Sequence, residues 1–213
     1  MVKVIVADDH ELVRSGIEHI LDEDPEIRVV GSAATGEELL RQIREKAPDV
    51  VIVDVNMPGM GGVEACHRIH SRHPQVRVIA LSVYTGGPIP RHLLEAGIDG
   101  YLSKHCPPQE MIRAVKSVHR GKRYLSADVA THLALENTDR HPSPFDQLSR
   151  REMEVTLLTL QGKSIQEIAD ILSVSPKTIC TYRYRIFEKL GLRNDVELTR
   201  LASRYGLLNG NGG

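Results

Sequence analysis

The sequence predicts an α/β fold: a flavodoxin-like (βα)5 domain around a parallel sheet, followed by an all-α helix-turn-helix domain. Two observations carry this prediction. Up to about residue 120, short runs rich in β-branched residues alternate with segments of helical spacing. From residue 147 onward, only helical patterns occur. Strands that alternate with helices of roughly 10–13 residues indicate βαβ units and a parallel sheet.

The elements of the first domain follow one another in a regular order. The strand-like runs are VKVIVA, IRVVGSA, DVVIVD, VRVIALS and DGYLS. The helical segments that follow them are ELVRSGIEHILDE, GEELLRQIREK, GGVEACHRIHSR, GPIPRHLLEAG and PPQEMIRAVKSVHR. Because crossovers between parallel strands are right-handed, we expect helices on both faces of this sheet.

The second domain consists of four helical patterns. They are SRREMEVTLLTLQ, SIQEIADILS, SPKTICTYRYRIFEKL and DVELTRLASRYG, and each begins with Ser or Asp. These residues are good N-caps, and Ser149 with Glu152 also fits a capping box. We therefore expect a first domain at residues 1–122, a linker at 123–146, a helical domain at 147–208 and a disordered tail at 209–213.

Bulk composition indicates a soluble globular protein of the cytoplasm. Hydrophobic residues make up 41% of the chain and charged residues 26%, which is ordinary for such proteins. The three cysteines are far apart and lack CxxC spacing, so neither disulfides nor a zinc site is expected. Neither a signal peptide nor a membrane span is evident in the sequence.

Charge is unevenly distributed between the two parts of the chain. Residues 1–146 hold 17 Lys and Arg against 21 Asp and Glu, a net charge of −4. Residues 147–213 hold 10 against 7, a net charge of +3. A basic excess of this size is only weak support for nucleic-acid binding by the second domain.

Polar side chains stand where the predicted strands end. The first strand ends in Asp8 and Asp9, the third in Asp54, the fourth in Ser82 and the fifth in Lys104. In an open parallel sheet, functional groups gather at these carboxyl ends. Three carboxylates, a hydroxyl and an amine therefore converge on one rim.

This group of side chains suits metal-assisted phosphoryl transfer. Close carboxylates raise one another's pKa unless a cation compensates, and Mg²⁺ prefers oxygen ligands. Lys104 and Ser82 suit phosphoryl oxygens, and Asp54 suits an aspartyl-phosphate nucleophile. Taken singly, each residue has a simpler explanation: a helix cap for Asp8 or Asp9, a solvated amine for Lys104, and a strand-end hydroxyl for Ser82. The agreement of four strand ends favours the shared site.

The first 120 residues resemble the receiver domain of two-component response regulators. The resemblance lies in VADDHELVRSG, VIVDVNMPGMGGVE, ALSVY and GYLSK, in the family's order and spacing. It implies that Asp54 is the phosphoacceptor. It also implies that Asp9, Asp54 and the backbone carbonyl of Asn56 bind Mg²⁺, with Asp8 acting through water.

The same resemblance assigns further roles around the acceptor. Ser82 and Lys104 would contact the phosphoryl group, and Tyr101 would occupy the aromatic switch position. A histidine kinase would supply the phosphoryl group.

The pattern SIQEIADILSVSPKTICTYRYRIFEKL predicts a helix, a short turn and a second helix. Apolar residues at helical spacing line one side of each helix and form a core. The second helix would dock in the DNA major groove. Its exposed face would present Lys177, Cys180, Thr181, Tyr184 and Arg185 to phosphates and base edges. An ordinary antiparallel helix pair with a solvated basic face is the alternative.

Residues 147–208 resemble the DNA-binding domain of the LuxR/FixJ (NarL) family. The resemblance lies in LSRREMEVTLLTLQGKSIQEIADILSVSPKTICTYRYRIFEKLG. SPFDQLS, SPKTICTYRYRIFEKL and DVEL are most similar to the GacA/UvrY branch, whose members activate small regulatory RNA genes. The resemblance implies a transcription regulator that binds promoter DNA as a homodimer.

The last helix is the expected dimer contact. It would use Val196, Thr199, Leu201 and Ala202. We also expect the unphosphorylated first domain to cover the recognition helix or to keep the DNA-binding domains apart.

Two other function classes remain open. A flavodoxin-like enzyme that binds FMN would want a phosphate-cradling loop where this chain has Asp8, Asp9 and His10, so we expect no enzyme. A DNA-binding regulator that works without phosphorylation, with a receiver-like scaffold, is the second alternative.

Overall fold

A parallel sheet forms the centre of the first domain. The protein is represented by a computed structural model that describes residues 1–57, 60–138 and 143–208, with the backbone alone at 136–138. Within these residues the strand order is β2-β1-β3-β4-β5-β6, and all pairs are parallel. The strands are β1 (Val2–Ala7), β2 (Ile27–Ala33), β3 (Val50–Asp54), β4 (Arg77–Ser82), β5 (Gly100–Ser103) and β6 (Tyr124–Leu125).

Five of these strands are the predicted ones, and the sixth was not predicted. Strand β3 is buried along its whole length, which is why its sequence VVIVD is a continuous apolar run that ends in a charge. Strand β6 has only two residues, and it pairs with β5 through Gly100 and Tyr101. A strand of this length is too short to give a periodic pattern.

Helices cover both faces of the sheet. They are α1 (Glu11–Asp22), α2 (Gly36–Lys46), α3 (Gly61–Arg72), α4 (Pro88–Glu95), α5 (Pro108–His119) and α6 (Ala127–Thr138). Helices α1 and α5 pack their apolar residues against one face. Helices α2, α3 and α4 cover the other face, and the second domain lies on that side.

The stretch predicted as a linker contains regular structure. Strand β6 and helix α6 lie within it, and a 3-10 helix follows at Pro144–Gln147. The predicted linker therefore begins as an extension of the first domain's sheet. The predicted disordered tail at 209–213 lies outside the described residues.

The second domain has the predicted helices. They are α7 (Arg150–Leu160), α8 (Ile165–Leu172), α9 (Pro176–Leu190) and α10 (Asp195–Arg204). Ser149 caps α7 and Ser164 caps α8, each in a capping box with the Glu three residues later. The turn between α8 and α9 passes through Ser173, a residue with φ of 54°.

One apolar core extends through both domains. It includes Val55 and Met60 of the first domain together with Phe145, Leu148 and Leu158. Buried apolar surface is the main stabilising force in protein association. The two domains are therefore held together by buried apolar contacts as well as by polar ones.

Gly62 is required where the acidic strand turns into α3. A Cβ atom at this position would collide with the backbone carbonyl of Asp54, and Gly62 N donates a hydrogen bond to Val55 O at 3.2 Å. We predict that Gly62→Ala lowers the free energy of unfolding by about 2–3 kcal/mol, because backbone cannot move aside as a side chain can. Urea unfolding measures this change.

The control is Gly16→Ala in α1. A Cβ atom there meets nothing within 4 Å, so this exposed helix position should gain roughly 0.5–1 kcal/mol. Equal stabilities of the two variants would show that the tight approach at Gly62 does not exist in solution.

Candidate functional site

Three carboxylates meet at the carboxyl ends of two neighbouring strands. Asp54 is the last residue of β3, and Asp8 and Asp9 follow directly after β1. Because β1 and β3 are paired, their ends lie side by side. Asp8 and Asp54 are fully buried, whereas Asp9 is half-buried. The sequence-predicted acidic group is therefore brought together at this edge.

Lys104 joins the two buried carboxylates. Its Nζ atom donates to Asp8 Oδ2 and to Asp54 Oδ2, each at 2.8 Å. The lysine follows β5 directly and leaves only 17% of its side chain exposed. A single cation thus faces two buried negative charges, which leaves the cluster short of positive charge.

Burial and charge pull the ionisation of this cluster in opposite directions. Burial raises the pKa of Asp54 above its ordinary value, although the hydrogen bond from Lys104 opposes that shift. Burial alone would lower the pKa of Lys104, but its hydrogen bonds to Asp54 and Asp8 outweigh burial and raise it. The ammonium is therefore held in its charged form, while the charged form of Asp54 is penalised.

The cluster has the ligands that a hard divalent cation prefers. Asp8, Asp9, His10 and Asp54 each place one potential ligand atom within 4.8 Å of the others. Asp9 Oδ1 is buried and lacks a hydrogen-bond partner, although His10 Nδ1 lies 3.0 Å from it. An oxygen left in this state is costly unless a cation binds it. The carboxylate oxygens fit Mg²⁺ by this test.

Ser82 and two tyrosines extend the site along β4 and β5. The Ser82 hydroxyl accepts a hydrogen bond from the Tyr84 amide at 3.1 Å. Tyr101 is fully buried, and its hydroxyl donates to the Tyr84 carbonyl at 2.8 Å. Burial raises the pKa of the Tyr101 hydroxyl, so it remains a hydrogen-bond donor. Ser82 and Tyr101 thus hold the same loop from two sides.

Tyr84 was not predicted as a functional residue, yet it links the acidic edge to the second domain. Its hydroxyl donates to the Leu207 carbonyl at 3.2 Å. A cavity of about 230 Å³ opens beside this contact. It is lined by Asp9, Asn56, Tyr84, Leu157, Leu160, Gln161, Lys163, Leu207 and Leu208. The Asp9 side of the acidic edge therefore faces the second domain across this cavity.

Ion pairs also join the two domains. Arg151 of α7 contacts Glu64 of α3 at 2.8 Å, and it also contacts Glu154 of its own helix at 2.6 Å. Arg91 of α4 contacts Asp146 at 2.9 Å. Because Glu64 and Glu154 are nearly buried, the Arg151 pairs are screened less by salt than surface pairs would be.

A buried histidine lies beside these pairs. Nε2 of His67 is 3.3 Å from Glu154 Oε1, and both side chains are nearly buried. Burial lowers the pKa of His67 to about 3, and the nearby Arg150 and Arg151 act in the same direction. His67 is therefore neutral at pH 7, so its contact with Glu154 is not an ion pair.

The first domain does not cover the predicted recognition face. Lys177, Cys180, Thr181, Tyr184 and Arg185 are all exposed on α9, and 69% of Tyr184 is accessible. Of the two expected forms of inhibition, a covered recognition helix is therefore wrong for this arrangement, and separation of the DNA-binding domains stays a prediction.

Arg183 of the same helix has a structural role instead. It makes hydrogen bonds of 2.6 and 2.7 Å to the Asp195 carboxylate and stacks over Phe187. These contacts join α9 to the start of α10.

Only part of the predicted dimer contact lies on the surface of α10. Val196 is 60% exposed and Thr199 is exposed, whereas Leu201 is half-buried. Ala202 is fully buried in the core of its own domain. The assignment of Ala202 to a dimer surface was therefore wrong, because it lies on the inward side of the helix.

Comparisons of sequence place both domains in known families. Residues 4–116 match the response regulator receiver domain, and residues 146–202 match the bacterial regulatory proteins of the luxR family. The response regulator UvrY of Escherichia coli K12 is 45% identical over 211 residues, which cover 98% of this chain and 97% of UvrY. The response regulator GacA of Pseudomonas syringae is 46% identical over 98% of this chain and 99% of GacA. These relatives are named as response regulators and not as enzymes.

Solved structures of similar proteins match one or both domains. RcsB from Salmonella enterica serovar Typhimurium, bound to a promoter in the presence of the phosphomimetic BeF3−, has a TM-score of 0.79 and 28% identity. This likeness covers 95% of this chain and 98% of RcsB. A LuxR-family response regulator from Aurantimonas has a TM-score of 0.63 and 32% identity over 65% of this chain and 99% of its own. Within residues 1–57, 60–138 and 143–208, no helix is long and apolar enough to cross a membrane.

The raised pKa of Asp54 has a consequence for stability. A carboxyl group whose folded pKa is raised favours the folded state at low pH, and that contribution is lost as pH rises through the folded pKa. We predict that Asp54→Asn stabilises the metal-free protein at pH 7 by roughly 1–2 kcal/mol, because it removes a penalised charge. The gain should shrink as pH falls towards 4.

Mg²⁺ should offset most of this difference in stability. At ten times its Kd, Mg²⁺ is expected to add about 1.4 kcal/mol to the wild type and nothing measurable to Asp54→Asn. Thermal unfolding with and without Mg²⁺ measures both effects. Asp22→Asn, at an exposed carboxylate outside the cluster, is the control. Equal Mg²⁺ responses of all three proteins would contradict a metal site at Asp54.

Proposed function

Because this chain belongs to the response regulators that join a receiver domain to a LuxR-type DNA-binding domain, we propose that a partner histidine kinase phosphorylates it on Asp54. Residues 1–122 would act as the receiver in the cytoplasm, and residues 147–208 would bind promoter DNA as a dimer. The observation that carries this proposal is the buried Asp54 carboxylate, joined to Asp8 by a shared Lys104.

Asp54 is the nucleophile in this proposal. One carboxylate oxygen attacks the phosphorus atom, the bond from phosphorus to the donor breaks, and the donor group leaves with the electron pair. From a phosphohistidine that is protonated on its other ring nitrogen, the leaving group is neutral imidazole, and the step needs no further proton. Lys104 already contacts Asp54 and would neutralise a phosphoryl oxygen.

Mg²⁺ fits the acidic edge and would supply electrostatic stabilisation of the phosphoryl oxygens when bound. Asp9, Asp54 and the backbone carbonyl of Asn56 would hold it directly, and Asp8 would act through water. The unpartnered Asp9 Oδ1 supports this assignment. Ser82 would donate its hydroxyl to another phosphoryl oxygen, and Tyr101 would act as the switch residue.

The contacts of Ser82 suggest how the site is sensed. Ser82 accepts from the Tyr84 amide, and Tyr84 in turn donates to Leu207 of the second domain. Recruitment of Ser82 by a phosphoryl group would therefore act on the loop that contacts the other domain. Such couplings are typically about 1–3 kcal/mol, or about 5- to 150-fold in affinity.

DNA binding is proposed for the exposed face of α9, with Val196 and Thr199 of α10 in the dimer contact and Leu201 at its edge. The exposure of these residues in the docked arrangement supports this assignment. RcsB, whose likeness spans both domains, was solved on a promoter with BeF3−. We therefore propose that phosphorylation stabilises the docked arrangement and promotes dimerisation on DNA, instead of releasing a masked helix.

A phosphorylation-independent DNA-binding regulator remains the second candidate. The observation in its favour is that the recognition face is exposed while the two domains are docked. In that case the first domain would serve only as a scaffold. DNA affinity with and without Asp54 separates the two candidates.

Phosphorylation of Asp54 is predicted to tighten DNA binding. After incubation with Mg²⁺ and a small acyl phosphate, intact mass should rise by one phosphoryl group in the wild type and not in Asp54→Asn. On one operator the affinity of the wild type should then rise by about 5- to 150-fold. A mass gain that persists in Asp54→Asn would exclude the acceptor, and a mass gain without any change in affinity would favour the scaffold.

The recognition face is predicted to divide into positioning and reading residues. Lys177→Ala and Arg185→Ala should weaken binding to all sequences and lower the salt slope by about one each, since they remove phosphate contacts. Thr181→Ala and Tyr184→Ala should instead alter sequence preference. Titrations on operator and scrambled DNA across salt concentrations test this division. If all four variants behave alike, the division is wrong.

A further inference from the structure

The cavity at the acidic edge has walls from both domains. The receiver contributes Asp9, Asn56 and Tyr84, and the segment between α7 and α8 contributes Gln161 and Lys163. The cavity volume of about 230 Å³ exceeds the space of a few water molecules. Asp9 of the receiver and Lys163 of the DNA-binding domain therefore line the same cavity.

Lys163 is the one cation among the described residues that line this cavity. Its side chain is 30% exposed, and its ion pair with Glu167 is long, at 3.9 Å. A pair of this length between partly exposed groups contributes little. The ammonium is therefore available for a stronger anion.

The charge of the acidic edge favours such a contact. Three carboxylates face one lysine there, and a phosphoryl group bound with Mg²⁺ would again place anionic oxygens at the mouth of the site. Charge-assisted hydrogen bonds from an ammonium to such oxygens are among the strong ones. The apolar leucines in the cavity wall reduce the competition from water.

We propose that Lys163 of the DNA-binding domain contacts the phosphoryl group on Asp54 across the domain boundary. This inference rests on the function proposed above and adds a binding residue from the second domain to the phosphorylation site. Lys104 holds the phosphoryl group from the receiver side, and Lys163 holds it from the other side.

A contact of this kind couples phosphorylation to docking. Whatever the docked domain adds to phosphoryl binding, the phosphoryl group adds equally to docking. Through Lys163 the DNA-binding domain would contact the phosphoryl group directly. This contact would act in addition to the hydrogen bond between Tyr84 and Leu207.

The test measures the affinity of the full chain for BeF3− in the presence of Mg²⁺ by titration calorimetry. Lys163→Ala should weaken binding by about tenfold, as expected for the loss of one charge-assisted contact. Lys163→Arg, which keeps the charge, should bind within about twofold of the wild type. The difference between Lys163→Ala and the wild type should shrink at high salt, because the contact is electrostatic.

Two controls isolate the proposed contact. Arg193→Ala removes an exposed cation of the same domain that does not line the cavity, and Glu167→Gln removes the partner of Lys163. Both should bind BeF3− like the wild type. If Lys163→Ala also binds like the wild type, or if Glu167→Gln weakens binding as much as Lys163→Ala does, the proposed contact is excluded.

The same experiment separates this inference from the proposed function. Failure of the wild type to bind BeF3− with Mg²⁺ would contradict phosphorylation at Asp54 itself. Normal binding by the wild type and by Lys163→Ala would contradict the role of Lys163 alone.

Discussion

The shared hydrogen bonds of Lys104 to Asp8 and Asp54 are the interaction on which the rest of the structure depends. Two buried carboxylates at the ends of adjacent strands would repel each other and lose hydration without this cation. Loss of Lys104, the shared cation, would leave both carboxylates uncompensated, and a change of that kind typically costs about 3–5 kcal/mol. The group is still short of positive charge, since Asp9 Oδ1 has no hydrogen-bond partner. The site therefore carries an excess of negative charge, which a bound cation would neutralise and a phosphoryl group would increase.

The second domain lies beside the acidic edge, so a change in the charge of this site can affect the contact between the domains. The domains share an apolar core and the ion pair of Arg151 with Glu64, and both line a cavity at the acidic edge. The side of α9 proposed to read DNA is exposed and is not covered by this contact. Docking and DNA binding are therefore compatible, and we propose that a phosphoryl group on Asp54 strengthens docking. This arrangement differs from a masked recognition helix that must be released.

The sequence predicts the fold and the acidic edge well because both follow from local rules. Apolar runs that end in a charge, as at Asp54, mark buried strands, and parallel strands bring their carboxyl ends together. Contacts between domains leave no such pattern, so Tyr84 and Lys163 were not predicted. Strand β6 was missed because two residues cannot show periodicity. Ala202 was misplaced because a small residue fits either side of an amphipathic helix, and only packing shows that it faces the core.

The most direct measurement is the distance distribution between the two domains in the full chain. Spin labels at exposed Glu45 and Glu188 would report it, with Cys106 and Cys180 replaced by serine. The account predicts that Mg²⁺ with BeF3− narrows the distribution around the docked distance in the wild type and leaves Asp54→Asn unchanged. A wild-type distribution that shifts to longer distances when BeF3− binds would show that phosphorylation releases the DNA-binding domain, and would contradict the account.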